Sequence, residues 1–111
     1  MNEILTKFFH FSASHSRGGK VIGKNYILEI SIRATSAEEE LEFEGKVQSG
    51  LIGCLESRDL GLHVDFLKGL DLTDLNLLKA FWAKAQEAVP FAEILSLSLT
   101  RDAKTKTTLS I

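Results

Sequence analysis

The sequence has one cysteine, one proline and no long apolar run, and each scarcity excludes a class of protein. With Cys54 alone, neither an intrachain disulfide nor a zinc site built from thiolates can form. No apolar stretch approaches the length of a membrane span, and the N-terminal sequence lacks the apolar core of a signal peptide. The formal net charge of -2 supplies no basic field for nucleic acid. We therefore expect a cytoplasmic protein with no membrane and no nucleic-acid partner.

The composition that remains is that of an ordinary folded domain. Hydrophobic residues make up 44% of the 111 residues, and charged residues make up 25%. No repeat, low-complexity tract or flexible linker divides the chain, so residues 1–111 are predicted to form a single domain. A chain of this length buries only a modest core, which favours association between chains.

Alternation of apolar and polar residues predicts four half-buried strands. The first covers residues 4–12, and a pair of glycines separates it from a second strand, in which apolar residues recur at every other position from 26 to 32. These two segments are predicted to form a long hairpin. Leucines alternate with hydroxyl-bearing residues over positions 95–100, and residues 105–111 form the last strand after a turn.

An amphipathic helix is predicted between Thr73 and Pro90. Its apolar residues recur at three- and four-residue steps, at Leu75, Leu78, Trp82, Ala85 and Val89. Asp71 or Thr73 is placed to cap its start, and Pro90 ends it. The order of strand, strand, helical region, helix, strand and strand favours an α+β fold, with a four-stranded antiparallel sheet and helices packed on one face.

Residues 35–69 leave several alternatives open, and residues 37–40 are either a solvated turn or a short helical start. A two-residue alternation with charged side chains predicts a short strand, or an extension of the second strand, through Leu41, Phe43 and Val47. Farther along, several glycines interrupt any regular pattern. A short helix over residues 52–58 competes there with extended chain over residues 63–66.

Four short strings resemble the motifs of one protein family. Residues 11–15 read F-S-A-S-H, which matches the first-strand motif F-S-A-(A/S)-H. Asn25-Tyr26 matches the end of H-G-H-N-Y, and residues 70–76 match the frame of L-D-H-x-x-L-N. Residues 61–66 are close to G-M-V-x-D-F, and residues 50–52 are a competing match with better spacing and poorer identity. In this order the strings resemble the 6-pyruvoyl tetrahydropterin synthase and 6-carboxy-tetrahydropterin synthase family. The resemblance covers nearly the whole chain and implies the tunnelling fold (T-fold) of that family.

The resemblance also implies a zinc site, for which this sequence lacks most of the ligands. In the family three histidines hold a catalytic zinc, one from the F-S-A-x-H motif and two from H-G-H. His15 occupies the first position, but Ile22 and Lys24 occupy the other two. Isoleucine has no donor atom, and a protonated lysine is a poor ligand. No zinc or other cofactor is therefore expected at the family's position.

Three further positions of the family's chemistry differ in this sequence. The general-base cysteine lies between the first histidine and H-G-H in the family, and Cys54 stands too far along the chain to replace it. The acid–base histidine of L-D-H corresponds to Leu72, and the glutamate that anchors the pterin corresponds to Leu99. As a lone thiol near apolar residues, Cys54 is expected to be buried and inert. The resemblance thus implies the family's fold without its catalysis.

Three interpretations of the function follow from these residues. In the first, the chain is a non-catalytic T-fold protein, and the resemblance implies a homo-oligomer, a trimer or hexamer, that takes a pterin- or purine-like small ligand. In the alternative, it is an active zinc-dependent lyase of the pterin synthase type with a rearranged metal site formed by His10, His15 and His63. His10 and His15 point to opposite faces of a regular strand, which weighs against that site. A third hypothesis is that only the architecture is shared with the family.

A single four-stranded sheet has two open edges, which proteins must protect. The resemblance implies that subunits close these edges by assembling into a barrel. Five hydroxyl side chains near the C-terminus would suit the inside of that barrel, and the alternative is that they simply face water. They belong to Ser96, Ser98, Thr100, Thr105 and Thr107.

Overall fold

The computed structural model describes residues 3–17 and 20–111. Its strands are β1 (Ile4–Arg17), β2 (Lys20–Arg33), β3 (Ile94–Arg101) and β4 (Thr105–Ser110). Its α-helices are α1 (Ala37–Val47), α2 (Gly53–Leu55) and α3 (Asp74–Ala88), with a π-helical turn at Gln48–Ile52 and a 3-10 turn at Asp65–Leu67. Among the described residues no helix is long and apolar enough to span a membrane.

The four strands form one antiparallel sheet in the order β1-β2-β3-β4. The predicted α+β fold, with a four-stranded sheet and helices packed on one face, is therefore confirmed. The hairpin is longer than predicted, because β1 and β2 each contain 14 residues. In its register Phe11 lies opposite Tyr26, and His15 lies opposite Ile22.

One face of the sheet forms the core together with the helices. Odd-numbered residues of β1 and even-numbered residues of β2 share this face and are buried, namely Phe9, Phe11, Ala13, Tyr26, Leu28, Ile30 and Ile32. The predicted alternation in the second strand is thus correct, since a side-chain period of two separates the two faces of a strand. The opposite face is accessible, and Phe8 on it is 60% exposed.

The first part of the uncertain middle region is a helix, so the predicted strand through Leu41, Phe43 and Val47 is wrong. Phe43 and Val47 are buried on one face of α1, whereas Leu41 is exposed. Ser36 caps the helix, because its hydroxyl accepts a hydrogen bond from the Glu39 N–H at 3.2 Å. A serine three residues before a glutamate is a start signal for a helix, and here it outweighs the two-residue alternation.

The second part of the middle region is helical only as far as Leu55. The predicted short helix is therefore correct in kind but misplaced, and residues 63–66 enter a 3-10 turn instead of running fully extended. Leu51, Ile52 and Leu55 point into the core, which turns Cys54 outward. The expectation of a buried thiol is wrong for that reason.

Helix α3 begins where the sequence predicts. The Thr73 hydroxyl caps it by accepting a hydrogen bond from the Asn76 N–H at 3.2 Å, and the helix ends two residues before Pro90. The buried stripe, however, consists of Leu77, Leu78, Phe81 and Ala85. Leu75 is 45% exposed. Both stripes have three- and four-residue spacing, so periodicity alone does not choose between them.

The hydroxyl-bearing residues of the last two strands divide between the two faces of the sheet. Leu99 lies opposite Thr107 and Arg101 lies opposite Thr105, so both threonines share the face of the helices. The expectation that Thr105 and Thr107 lie on the same face as Ser98 is therefore wrong. Ser98 instead contacts Thr108 across the strands, with 2.8 Å between the hydroxyl oxygens.

Candidate functional site

A cavity of about 530 Å³ lies on the helix-bearing side of the sheet, towards the hairpin end. The hairpin contributes His15, Lys24 and Tyr26, and β3 contributes Arg101. The segment before α3 and its first turns close the opposite wall, with Gly61, Leu70, Asp71, Leu72, Thr73, Asp74 and Leu77. We call this cavity the hairpin pocket. Its volume is in the range of sites that bind small molecules.

The strand register places the three positions of the expected zinc ligands on one face of the hairpin. His15 lies directly opposite Ile22, and Lys24 lies opposite Ala13, two residues from His15. The side chains at these positions are an imidazole, an aliphatic group and an ammonium. Zinc requires at least three nitrogen, sulfur or carboxylate ligands from the protein, so this set does not fit the metal. Within residues 3–17 and 20–111, no group of three His, Cys, Asp or Glu side chains is arranged to hold a metal ion.

The structure does not bring the three histidines together. His15 lines the hairpin pocket, whereas His10 is exposed on the other face of the sheet and lines a different pocket. His63 is exposed beside Cys54 and Arg58 in a third pocket. The three imidazoles thus belong to three separate parts of the surface.

Two other positions that the resemblance assigns to the site have different surroundings. Leu72, at the position of the acid–base histidine, lines the hairpin pocket together with Asp71. Leu99, at the position of the pterin-anchoring glutamate, is completely buried in the core. The residue of β3 that reaches the pocket is Arg101, two residues farther along the strand. The sequence motifs did not identify Arg101, because Leu99 and Arg101 are two residues apart and therefore point to the same face of the strand.

An ion pair fixes the pocket wall at the start of α3. The Arg101 Nε lies 2.9 Å from one Asp74 carboxylate oxygen and 3.0 Å from the other. The Thr107 hydroxyl donates a further hydrogen bond of 3.2 Å to the same carboxylate. Asp74 is the first residue of α3, where the helix dipole also favours a negative charge. This network ties the helix to β3 and β4.

Tyr26 forms the floor of the pocket. Its ring stacks on Phe11 with 5.0 Å between centroids, and the residue is only 2% exposed. Its hydroxyl has no hydrogen-bond partner in the described part of the chain. Among the described residues every fully buried polar side-chain atom has a partner. The Tyr26 hydroxyl has none, so it must be reachable by solvent. Burial, together with the charges of Asp74 and Asp102 and against the charge of Arg101, raises the Tyr26 pKa to about 12.

The ionisation of Tyr26 can be followed directly because it is the only tyrosine of the chain. We expect phenolate absorbance to rise with a midpoint near pH 12 in the folded protein, against an ordinary value of 10.0. Since the raised pKa favours the neutral phenol in the folded state, this contribution to stability is complete below pH 10 and is lost as pH rises towards 12. Tyr26→Phe should remove that part of the alkaline destabilisation. A midpoint near 10 in the folded protein would contradict this account of the phenol.

Lys24 and Asp71 are charged residues of the pocket whose side chains have no partner within residues 3–17 and 20–111. Neither forms an ion pair or a side-chain hydrogen bond with any described residue. They therefore differ from Asp74 and Arg101, which neutralise each other. The pocket consequently presents one uncompensated ammonium and one uncompensated carboxylate to a ligand.

Sheet order, helix placement and the hairpin pocket together define a T-fold subunit. Among solved structures, that of Caenorhabditis elegans 6-pyruvoyl tetrahydropterin synthase is similar, with a TM-score of 0.83 over 100% of this chain and 96% of that chain. The two sequences are 14% identical, so the likeness shows the fold. It confirms at this level the resemblance seen in the sequence motifs. No protein-family model matches the chain, and no curated protein matches it in sequence.

Proposed function

We propose that this chain is a non-catalytic T-fold protein, which assembles into a homo-oligomer and binds a small ligand in the hairpin pocket. One observation carries the proposal: Ile22 and Lys24 lie beside His15 on the face where a zinc site of this fold needs three imidazoles. The fold and the pocket are retained, while the donor atoms for the metal are missing.

The remaining groups of the pocket also argue against the family's reaction. That reaction needs an acid–base pair, and the position of its histidine is the aliphatic Leu72. Cys54 cannot take the part of the general base, since it lies in another pocket beside His63. Without metal, base and acid, the pocket can bind and orient a molecule but has no evident means to transform it.

The edges of the sheet support assembly. Backbone hydrogen bonds from residues 57–60 cover β1 near the hairpin end, because the Ser57 N–H donates to the Ser12 carbonyl at 2.6 Å and the Ser14 N–H donates to the Arg58 carbonyl at 2.9 Å. The earlier half of β1 has no strand on its outer side among the described residues, and neither does β4. Open edges invite pairing with another chain. A trimer or hexamer would close them.

The size and composition of the hairpin pocket support ligand binding. A volume of about 530 Å³ accommodates a pterin- or purine-like ring. Leu72 and Leu77 supply apolar wall, and Lys24, Tyr26 and Asp71 supply a few polar groups that can orient a ligand. Binding sites for small molecules have this combination of apolar walls with sparse polar groups.

Native mass spectrometry of protein purified without chelator tests both the assembly and the metal content. We expect a mass of three or six chains, with far less than one zinc per chain, because only His15 of the three ligand positions can coordinate zinc. His15→Ala should leave both the oligomer mass and the metal content unchanged.

A contrasting result would favour the lyase interpretation. One zinc per chain that disappears in His15→Ala would show a working metal site and overturn the non-catalytic assignment. His10→Ala and His63→Ala are matched controls, since these histidines line other pockets. A monomeric mass at micromolar concentration would overturn the assembly.

A further inference from the structure

We propose that Lys24 supplies the positive charge of the hairpin pocket and that the pocket binds a small organic carboxylate through the Lys24 ammonium and the Tyr26 hydroxyl. This inference rests on the proposed ligand-binding function and names its ligand class. At the position where this fold would hold a metal, two of the three ligand positions are Ile22 and Lys24. A cation of the chain itself stands where the fold would place a metal cation.

The position of Lys24 makes it available to a ligand. It lies on the pocket-facing side of β2, opposite Ala13, and its side chain is partly buried. Its ammonium forms no ion pair or hydrogen bond with any described residue. An ammonium without a partner is a favourable contact for an anionic group, and a hydrogen bond to a charged group is stronger than a neutral one.

Tyr26 provides an independent second donor. It is two residues from Lys24 on the same strand and face, so both side chains point into one pocket. The Tyr26 ring is buried, but its hydroxyl has no partner among the described residues and is reachable from the pocket. An accessible hydroxyl beside a lysine is a hydrogen-bond donor that a ligand can use. A ligand oxygen at this point would accept that hydrogen bond.

The two aspartates restrict the charge of the ligand. Asp74 is neutralised by Arg101 at 2.9 Å, but Asp71 is unpaired and lines the same pocket. A polyanion would bring several negative charges near this exposed carboxylate, and like charges repel. A ligand with a single negative charge can contact Lys24 and is repelled less by the Asp71 carboxylate. The balance therefore favours a carboxylate over a phosphate.

The apolar walls specify the rest of the ligand. Leu72 and Leu77 line the pocket beside the polar groups, and the cavity is much larger than a carboxyl group alone. An aromatic or short aliphatic body attached to the carboxylate would fill this space and bury apolar surface. We therefore expect an organic acid with a ring or chain, in place of a bare inorganic anion.

Benzoate is a suitable probe, with benzamide as its neutral isostere. Titrations followed by NMR should show benzoate binding with an affinity of the order of millimolar, as expected for a fragment of this size. Benzamide should bind at least about tenfold more weakly, because the charge-assisted hydrogen bond is lost. Lys24→Met should weaken benzoate by a similar factor, and Tyr26→Phe should weaken it several-fold.

Two further variants act as controls. Lys79→Met removes an exposed lysine of α3 that does not line the pocket, and it should leave benzoate affinity unchanged. Lys24→Arg keeps the charge and should retain most of the affinity. Equal benzoate binding by wild type and Lys24→Met, or no benzoate binding by a folded wild-type protein, would overturn the inference.

Other outcomes separate this inference from the function on which it rests. If benzamide binds as tightly as benzoate at the same residues, the pocket binds ligands but does not select anions, so only the inference fails. Tighter binding of inorganic phosphate than of benzoate would likewise reject the carboxylate and keep the pocket. The oligomer and zinc measurements are independent of all these titrations.

Discussion

Replacing both Ile22 and Lys24 with histidine is expected to give the protein one bound zinc ion per chain. The register places these two positions and His15 on the same face of the hairpin, with His15 directly opposite Ile22. Three imidazoles and a water molecule complete a tetrahedral zinc site. Ile22 is already 40% exposed, so a histidine there costs little apolar burial. The expected change is from substoichiometric metal to full occupancy.

Zinc binding should also stabilise the double variant. A ligand that binds only the folded state at about 100 times its dissociation constant adds roughly 2.7 kcal/mol to the free energy of unfolding. Denaturant unfolding with and without zinc measures this shift. In the wild-type protein, zinc should change the free energy of unfolding very little.

Val21→His combined with Gly23→His is the matched control. These neighbours point to the opposite face of the strand, so their imidazoles cannot join His15. Val21 is 71% exposed, and a Cβ added at Gly23 has no heavy atom within 4 Å, so both positions have room for a larger side chain. Equal zinc uptake by the control and the designed variant would show that the register argument is wrong. Recovery of lyase activity is not expected, since Leu72 still occupies the acid–base position.

Phe81→Ala should cause the largest loss of stability among single substitutions of the core. Phe81 is completely buried and contacts two other rings edge-on, with centroid distances of 6.2 Å to Phe11 and 6.4 Å to Phe66. Truncating a buried phenylalanine typically costs about 3–5 kcal/mol, from lost apolar burial and from the cavity that remains. Total stabilities of such domains are only about 5–15 kcal/mol.

Urea denaturation followed by circular dichroism measures this loss. Phe91→Ala is the control, because Phe91 is 38% exposed and should contribute under about 1 kcal/mol. Similar losses for both variants would show that the contacts of the Phe81 ring with Phe11 and Phe66 do not stabilise the packing of α3 on the sheet. The comparison is best made at one protein concentration, since assembly adds to apparent stability.

The sequence predicted the sheet well because one face of each inner strand is buried. In β2 every second residue from Tyr26 to Ile32 is apolar because it faces the core. This two-residue alternation can be recognised in the sequence alone. Only a possible start of helix α1, at residues 37–40, was predicted, because its apolar residues are few. Leu41 is exposed, so only Phe43 and Val47 mark the buried face, and two residues do not define a helical period.

The candidate site was predictable in part. The F-S-A-S-H string located His15, and motif alignment located Ile22 and Lys24 beside it, as the register shows. Asp74 and Arg101 were not predicted as a pair, since 27 residues separate them and neither stands at a specified position of a motif. The unpartnered hydroxyl of Tyr26 depends on packing, and no sequence pattern reports it.

The segment of residues 57–60 that covers β1 has a consequence for aggregation. It occupies the strand at Ser12 and Ser14, so an incoming strand can run along β1 only from Ile4 to Phe11, roughly 26 Å at about 3.3 Å per residue. Fibrils grow when flat edges of full length stack without limit. An edge that is blocked partway accepts a partner at one end alone. The loop of residues 57–60, which covers β1 near the hairpin, therefore limits fibril growth and favours closed assemblies.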